Sequence, residues 1–286
     1  MRTLGLRRSL ALAWQHRLRR RLSLYEPCSA LLAGRRCLEI GGPSAIFHRD
    51  GPLPVYALAS SVDNCNFAEQ TVWQGHVEEG QEFRFDDSSP PGRQHIADAT
   101  DLGGTVADAS YDAVLASHVI EHIANPLRAL REWARVLVEG GTLVLVVPHR
   151  ETTFDHRRPL TTIEHLVDDF ERGVGEDDPT HVAEFVALCD LDRDPVLHSR
   201  QELAERTARF VENRSVHHHV FDSLLVLRML DRAGFQLLGV ETALPFHIVA
   251  VAQRPPHGGQ PSNQAFLEPG AAWRASSWFA TDRRRP

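Results

Sequence analysis

The chain contains no lysine: across its 286 residues all 31 basic side chains are arginine. A Schiff-base lysine, a lysine general base and a Walker-type phosphate loop are excluded, because each needs a primary amine. Cysteine is scarce, with only Cys28, Cys37, Cys65 and Cys189 and no C-x-x-C spacing. Scattered thiols speak against a disulfide framework or a cysteine zinc site and point to a thiol-reducing cytoplasm. No apolar run reaches the length of a membrane span. The net charge of −7 supplies no global attraction for nucleic acid or an anionic membrane. The G-x-G-x-x-G fingerprint is missing at the first glycine turn, and a Tyr-x-x-x-Lys pair cannot exist, which argues against a nicotinamide-dependent oxidoreductase.

What is present is an ordinary globular composition, 42% hydrophobic and 24% charged. Arg36–Ile40, Pro54–Ala59 leading into Ser61-Val62-Asp63, Gln94–Ile96, Tyr111–Ala116 and Thr142–Val147 read as strands. Between the last two, Asn125 caps a helix whose first turn takes Pro126 and whose apolar face is Leu127, Leu130, Ala134 and Leu137. A later helix over 221–233 stops at Gly234, and 235–241 and 246–252 pair as closing strands. Such alternation predicts an α/β fold: a doubly wound, mostly parallel, seven-stranded Rossmann-like sheet, helices on both faces, and an inserted lid.

The chain divides into three regions. Residues 1–30, Arg-rich with leucines at helical spacing, form an N-terminal helical segment. Residues 31–253 form the domain, with a long polar insert at about 148–218 as lid. From 254 to 286 the Pro, Gly, Ser and Gln content predicts a disordered tail, in which Trp273, Trp278 and Phe279 are the side chains able to dock.

The most informative stretch is Cys37-Leu38-Glu39-Ile40-Gly41-Gly42-Pro43-Ser44, a buried strand breaking into a glycine turn. Such a turn lets backbone approach a ligand at the carboxyl edge of a sheet. Asp63 stands about twenty residues on, the usual distance for a ribose-gripping acid.

Tyr111-Asp112-Ala113-Val114-Leu115-Ala116-Ser117-His118-Val119-Ile120-Glu121-His122-Ile123 resembles the strand-four signature of class I S-adenosylmethionine-dependent methyltransferases, of the small-molecule, type 11-like kind. Asn125-Pro126, Leu130, Trp133, Arg135-Val136-Leu137, Gly140-Gly141 and Leu143 resemble its continuation, and the likeness covers about 36–150. The loop departs from the family's E/D-x-G-x-G-x-G, since Pro43 and Ala45 stand at the later two glycines. The resemblance implies S-adenosyl-L-methionine as cofactor. It implies that Glu39 orders the loop, that Gly41 and Gly42 pass the methionine end, and that Asp63, or else Asn64, accepts the ribose hydroxyls. Asp98 with Ala99 would meet the adenine, and Ser117 and His118 would line the sulfonium end.

Methylation of a hydroxyl or amine needs a base at the acceptor. His149 comes directly after the fifth strand, where side chains face the crevice, and is the first candidate, with His118 and then His156, beside Asp155, as the others. Of the consecutive His217-His218-His219, one or two would line the substrate pocket, and no metal is required. The expected function is O- or N-methylation of a small molecule by in-line displacement in the cytoplasm. A homodimer is left open, and neither nucleic acid nor membrane is expected as partner. The alternative is a binding or scaffold protein that keeps the fold with its altered loop.

Overall fold

The computed structural model describes residues 21–73, 75–86, 89–194, 196–257 and 259–284. Residues 1–20 of the predicted N-terminal segment therefore lie outside the described residues, and the first described element is helix α1 (Tyr25–Leu32). The strands are β1 (Arg36–Ile40), β2 (Ser61–Asn66), the small hairpin β3 (Gln70–Thr71) and β4 (Gly75–His76), β5 (Glu82–Phe83), β6 (Gly92–Ile96) and β7 (Tyr111–Ser117). Helix α2 (Pro126–Val136) leads into β8 (Leu137–Pro148). The insert then forms α3 (Ile163–Arg172), α4 (Val182–Leu188), α5 (Arg200–Thr207) and α6 (Phe210–Asn213). Helix α7 (Ser223–Arg232), β9 (Gln236–Ala243) and β10 (His247–Gln253) close the sheet.

The sheet runs β5-β6-β2-β1-β7-β8-β10-β9. The pairs from β6 to β8 are parallel, and β10 is antiparallel to both neighbours. This is the expected doubly wound architecture with one strand more than the predicted seven. The extra member, β5, is a two-residue antiparallel edge strand too short to register in the sequence.

Successive side chains on a strand face opposite ways, and the core divides accordingly. Leu38, Ile40, Val114, Ala116, Leu145 and Val147 join one cluster with Leu130 and Trp133 of α2 and Val226 and Leu230 of α7. Cys37, Ala113, Leu115, Val144 and Val146 join the other with Cys28 and Leu32 of α1, Phe47 and Tyr56. Strand order reverses between β2 and β7 on either side of β1, so the ligand crevice belongs at their carboxyl ends.

Three expectations are corrected. The apolar run Pro54–Ala59 is not a strand: Tyr56–Leu58 is a single helical turn packed into the second cluster, and β2 runs on through Asn66. The polar insert is more than a lid loop: it carries helices α3 to α6 and a small core of Phe185, Cys189, Leu197, Leu203 and Val216. The tail is ordered: α8 (Gln264–Leu267), α9 (Trp273–Ser276) and α10 (Ala280–Arg284) pack on the domain. Trp273 and Phe279 are buried there, while Trp278 stays exposed. Burial of two large rings outweighs the polar composition that predicted disorder.

Candidate functional site

A cavity of about 1060 Å³ opens at the carboxyl ends of β1, β2 and β7, walled on its far side by the insert. Its floor begins at Ile40-Gly41. Gly41 has φ +75, and a Cβ there would meet Val119 Cγ2 at 2.7 Å, so only glycine fits the turn. A Cβ on Gly42 would lie 2.0 Å from Glu39 Oε2. Glu39 itself is fully buried beneath the loop and accepts the Tyr56 hydroxyl at 2.5 Å; burial pushes its carboxyl up to about 7. Asn64 locks the loop from below, accepting from Gly42 N at 2.9 Å and donating to Gly42 O at 3.1 Å. Pro43, Ser44 and Ala45 line the wall without closing the cavity.

Asp63 does not reach this cavity. It lies inside β2, accepting the Tyr111 hydroxyl at 2.7 Å and Arg93 N at 2.8 Å, with Arg36 beside it. The residue at the end of β2 that lines the cavity is Asn66, with Phe67 next in the chain. Asp98 also stays outside the large cavity, on a smaller neighbouring one. Burial would raise its carboxyl, yet Arg214 at 2.7 Å and Thr100 hold it below its ordinary value. Arg214, placed over the Phe67 ring, is the side chain through which Asp98 shapes the wall. Ala97 and Ala99 line the cavity, and Trp133 Nε1 fixes the segment by donating to Ala99 O at 3.1 Å.

Ser117 and His118 continue from β7 into the cavity. His118 adopts φ +57; its Nε2 is 2.9 Å from His247 Nδ1, and its Nδ1 is 3.5 Å from Glu121 Oε1. Burial would raise Glu121, but the hydrogen bond from His118 and the adjacent His122 and His217 hold it below its ordinary value. Glu121 Oε2 is buried with no hydrogen-bond partner, and Glu121, His122 and His217 converge on the cavity. His217 Nδ1 bonds Asp155 Oδ2 at 2.5 Å, and Arg158 Nη1 donates to Asp155 Oδ1 at 2.9 Å. Burial would raise Asp155 as well; His217 and then Arg158 keep it below the usual range.

Neither of the other two candidate bases faces the cavity. His149 is wholly buried: its Nδ1 accepts from Glu151 N at 3.1 Å, so Nε2 carries the proton and donates to Asp282 Oδ1 at 3.3 Å, while Phe279 stacks on the ring. The expected placement fails because the tail covers this end of β8. His156 pairs with Asp190 at 2.7 Å, away from the cavity. Sequence reasoning had missed Asn66, Glu121 and the aromatic wall of Phe67, Trp73, Phe154 and Phe185; of the three consecutive histidines, His217 is the one that lines the cavity. Ending β2 at Asn66, three residues beyond Asp63, would have exposed that asparagine.

A glycine-turn cradle under a cavity at a topological switch point is the place where doubly wound sheets bind their ligands. Residues 40–145 match the family model described as "Methyltransferase domain". No curated protein matches the sequence. Solved structures similar to the chain include an S-adenosylmethionine-dependent methyltransferase from Mesorhizobium loti, at 15% identity, TM-score 0.46, covering 82% of this chain and 98% of that one. Another, from Methanosarcina mazei, shares 15% identity with TM-score 0.44 over 82% and 100% of the two chains. A third, from Aquifex aeolicus, shares 12% identity with TM-score 0.41 over 79% and 85%. Residues 40–145 carry the methyltransferase domain that the family match defines, on the doubly wound sheet described above.

The residues present fit the cofactor. Gly41 leaves a cradle that any side chain would close against Val119. Asn66 stands at the strand end where ribose hydroxyls would be met, the Ala97–Ala99 backbone offers an edge for adenine, and Ser117 and Gly41, each one residue past the paired Ala116 and Ile40, both line the cavity. No described helix is long and apolar enough to cross a membrane.

Proposed function

We propose that the acceptor is a small, largely apolar molecule carrying one polar, protonated group, and that His217 takes its proton. The observation that carries this reading is the His217–Asp155–Arg158 chain beside the apolar wall of Phe154, Phe185 and Leu197. When bound, the cofactor supplies a methyl group on a sulfonium, already activated for displacement. Gly41, Asn66 and the Ala97–Ala99 segment would hold it, with Asn64 and Glu39 keeping the loop in place. Asp155 fixes the orientation of the His217 ring and stabilises its charge once it accepts a proton. Nε2 of His217 makes no hydrogen bond among the described residues, so it is the nitrogen left for an acceptor. The orphaned Glu121 Oε2 and Arg206 Nε offer two anchors for polar groups in the chamber. The insert, with Trp73 and Val196 at the rim, excludes water from the reacting atoms.

The test is a product assay for S-adenosylhomocysteine over a panel of small phenols, alcohols and amines. An acceptor turned over by the wild type and lost in His217→Ala, with cofactor affinity retained, supports the reading. Equal turnover in the variant removes His217 from the chemistry.

A further inference from the structure

Within the insert and at its exit, outside the cavity, three histidines and an aspartate converge. His165 and Asp169 sit four residues apart on α3, hence on one face of that helix. His165 Nε2 lies 3.3 Å from Asp169 Oδ2 and 2.9 Å from His181 Nε2. His219 Nε2 lies 3.8 Å from the same aspartate oxygen. One ligand atom from each of the four falls within 4.8 Å of all the others. Asp169 Oδ2 is buried and accepts no hydrogen bond, and neither does the buried Nδ1 of His219 find a partner.

We propose that these four side chains form a zinc site: His165, Asp169, His181 and His219 bind one Zn²⁺ tetrahedrally and pin the insert to the domain. Zinc bonds to imidazole nitrogen and carboxylate oxygen at about 2.0–2.2 Å, so tetrahedral donors stand about 3.3 Å apart. The three measured separations scatter about that value. The donor set of three imidazoles and one carboxylate, without thiolate, suits Zn²⁺ better than Ca²⁺ or Mg²⁺, which take oxygen ligands. With neutral imidazoles the cluster carries one negative charge, and Asp168 and Asp178 add to the field felt at Asp169.

The surroundings support such a centre. His219 Nε2 lies 3.0 Å from Ala124 O, the kind of carbonyl that commonly fixes the second nitrogen of a metal-bound imidazole. The His219 Nδ1 has no partner, so the ring carries one nitrogen for the ion beside the one on Ala124. The Asp169 carbonyl accepts from Asn125 Nδ2 at 3.0 Å, tying α3 to the cap of α2. His165 and His181 are only partly buried, which leaves a route for the ion to enter. A closed set of four protein ligands is a structural site rather than a catalytic one. It would hold the segment that carries His217, two residues from His219.

The experiment uses untagged full-length protein purified without chelator, with metal content by mass spectrometry and cobalt substitution. One zinc per chain after dialysis, and tetrahedral cobalt bands in the visible spectrum, are expected. Asp169→Asn and His181→Gln should lose the zinc and weaken zinc affinity by more than the roughly 10- to 100-fold that loss of an outer-shell partner costs. Glu121→Gln, at the other His/carboxylate cluster, should keep the ion. Zinc-free wild type that gives no cobalt bands overturns the proposal, whether or not the variants fold. So does an ion retained by a folded Asp169→Asn, or one lost from Glu121→Gln and retained in Asp169→Asn, which would place it in the cavity instead.

Discussion

Two buried histidines, each bonded to a buried aspartate, sit in different surroundings. At the end of β8, His149 meets Asp282 beneath the C-terminal segment, with both ring nitrogens engaged and Phe279 stacked on the ring. Under the insert, His217 meets Asp155 through one nitrogen only and lines the cavity. The pairs are alike in chemistry and opposite in use. A histidine–aspartate pair can move a proton only where a ring nitrogen is left for a ligand; with both committed it is a piece of packing. The difference lies in what covers each pair: ordered tail at one, a chamber with open volume at the other.

Substitution gives the sharpest way to break this comparison. His217→Ala should lower methyl transfer by about 10²- to 10⁴-fold, the range of a lost general base, while His149→Ala stays within about threefold of wild type. Equal losses in steady-state kinetics would erase the distinction. Conversely, Phe279→Ala should lower unfolding free energy by about 3–5 kcal/mol, as for other large-to-small aromatic changes in a core. It should leave cofactor affinity unchanged. Urea denaturation and calorimetry read both, and an unaltered midpoint would mean that the tail does not support β8.

The site was unevenly legible in the sequence. From β7 to β8 the pattern could be read almost residue by residue, because Asn125 and Pro126 start α2 where capping chemistry requires and buried strands are near-continuous apolar runs. β2 was obscured for the opposite reason. Its sequence Ser-Val-Asp-Asn-Cys-Asn is polar although almost wholly buried, since Asn64 serves as an anchor for the glycine loop. The apolar run before it, Pro54–Ala59, looked like the strand but supplies a turn. That displacement made Asp63, which lies inside the strand, look like the residue at its end, which is Asn66. His149 was misread because no local pattern announces that a segment more than a hundred residues later will bury it. The convergence on Glu121 of His118, His122 and His217 joins the β7 exit to the far end of the insert, a contact only the tertiary fold creates.

A third prediction concerns Glu39, whose counterpart at the acceptor end, Glu121, is held ionised. Burial raises Glu39 from 4.5 to about 7. The folded state therefore favours the protonated form, and this contribution is fully present below pH 4.5 and lost as pH rises through 7. At about 1.4 kcal/mol per unit, the stability of the wild type relative to Glu39→Gln should fall by about 3 kcal/mol between pH 4.5 and 8. Parallel pH profiles from urea unfolding would contradict the assignment. The smallest expected effect separates the two β2 side chains: Asn66→Ala should weaken cofactor binding by about tenfold, the worth of one or two hydrogen bonds, and Asp63→Asn by less than about threefold.

The central claim is that the cavity floored by Gly41 is where the cofactor binds. Calorimetric titration of the wild type and of Gly41→Val with S-adenosylmethionine tests it most directly. One site per chain is predicted in the wild type and none in the variant, because a side chain at 41 collides with Val119. No heat from the wild type at millimolar cofactor, or undiminished binding by a folded Gly41→Val, would contradict it.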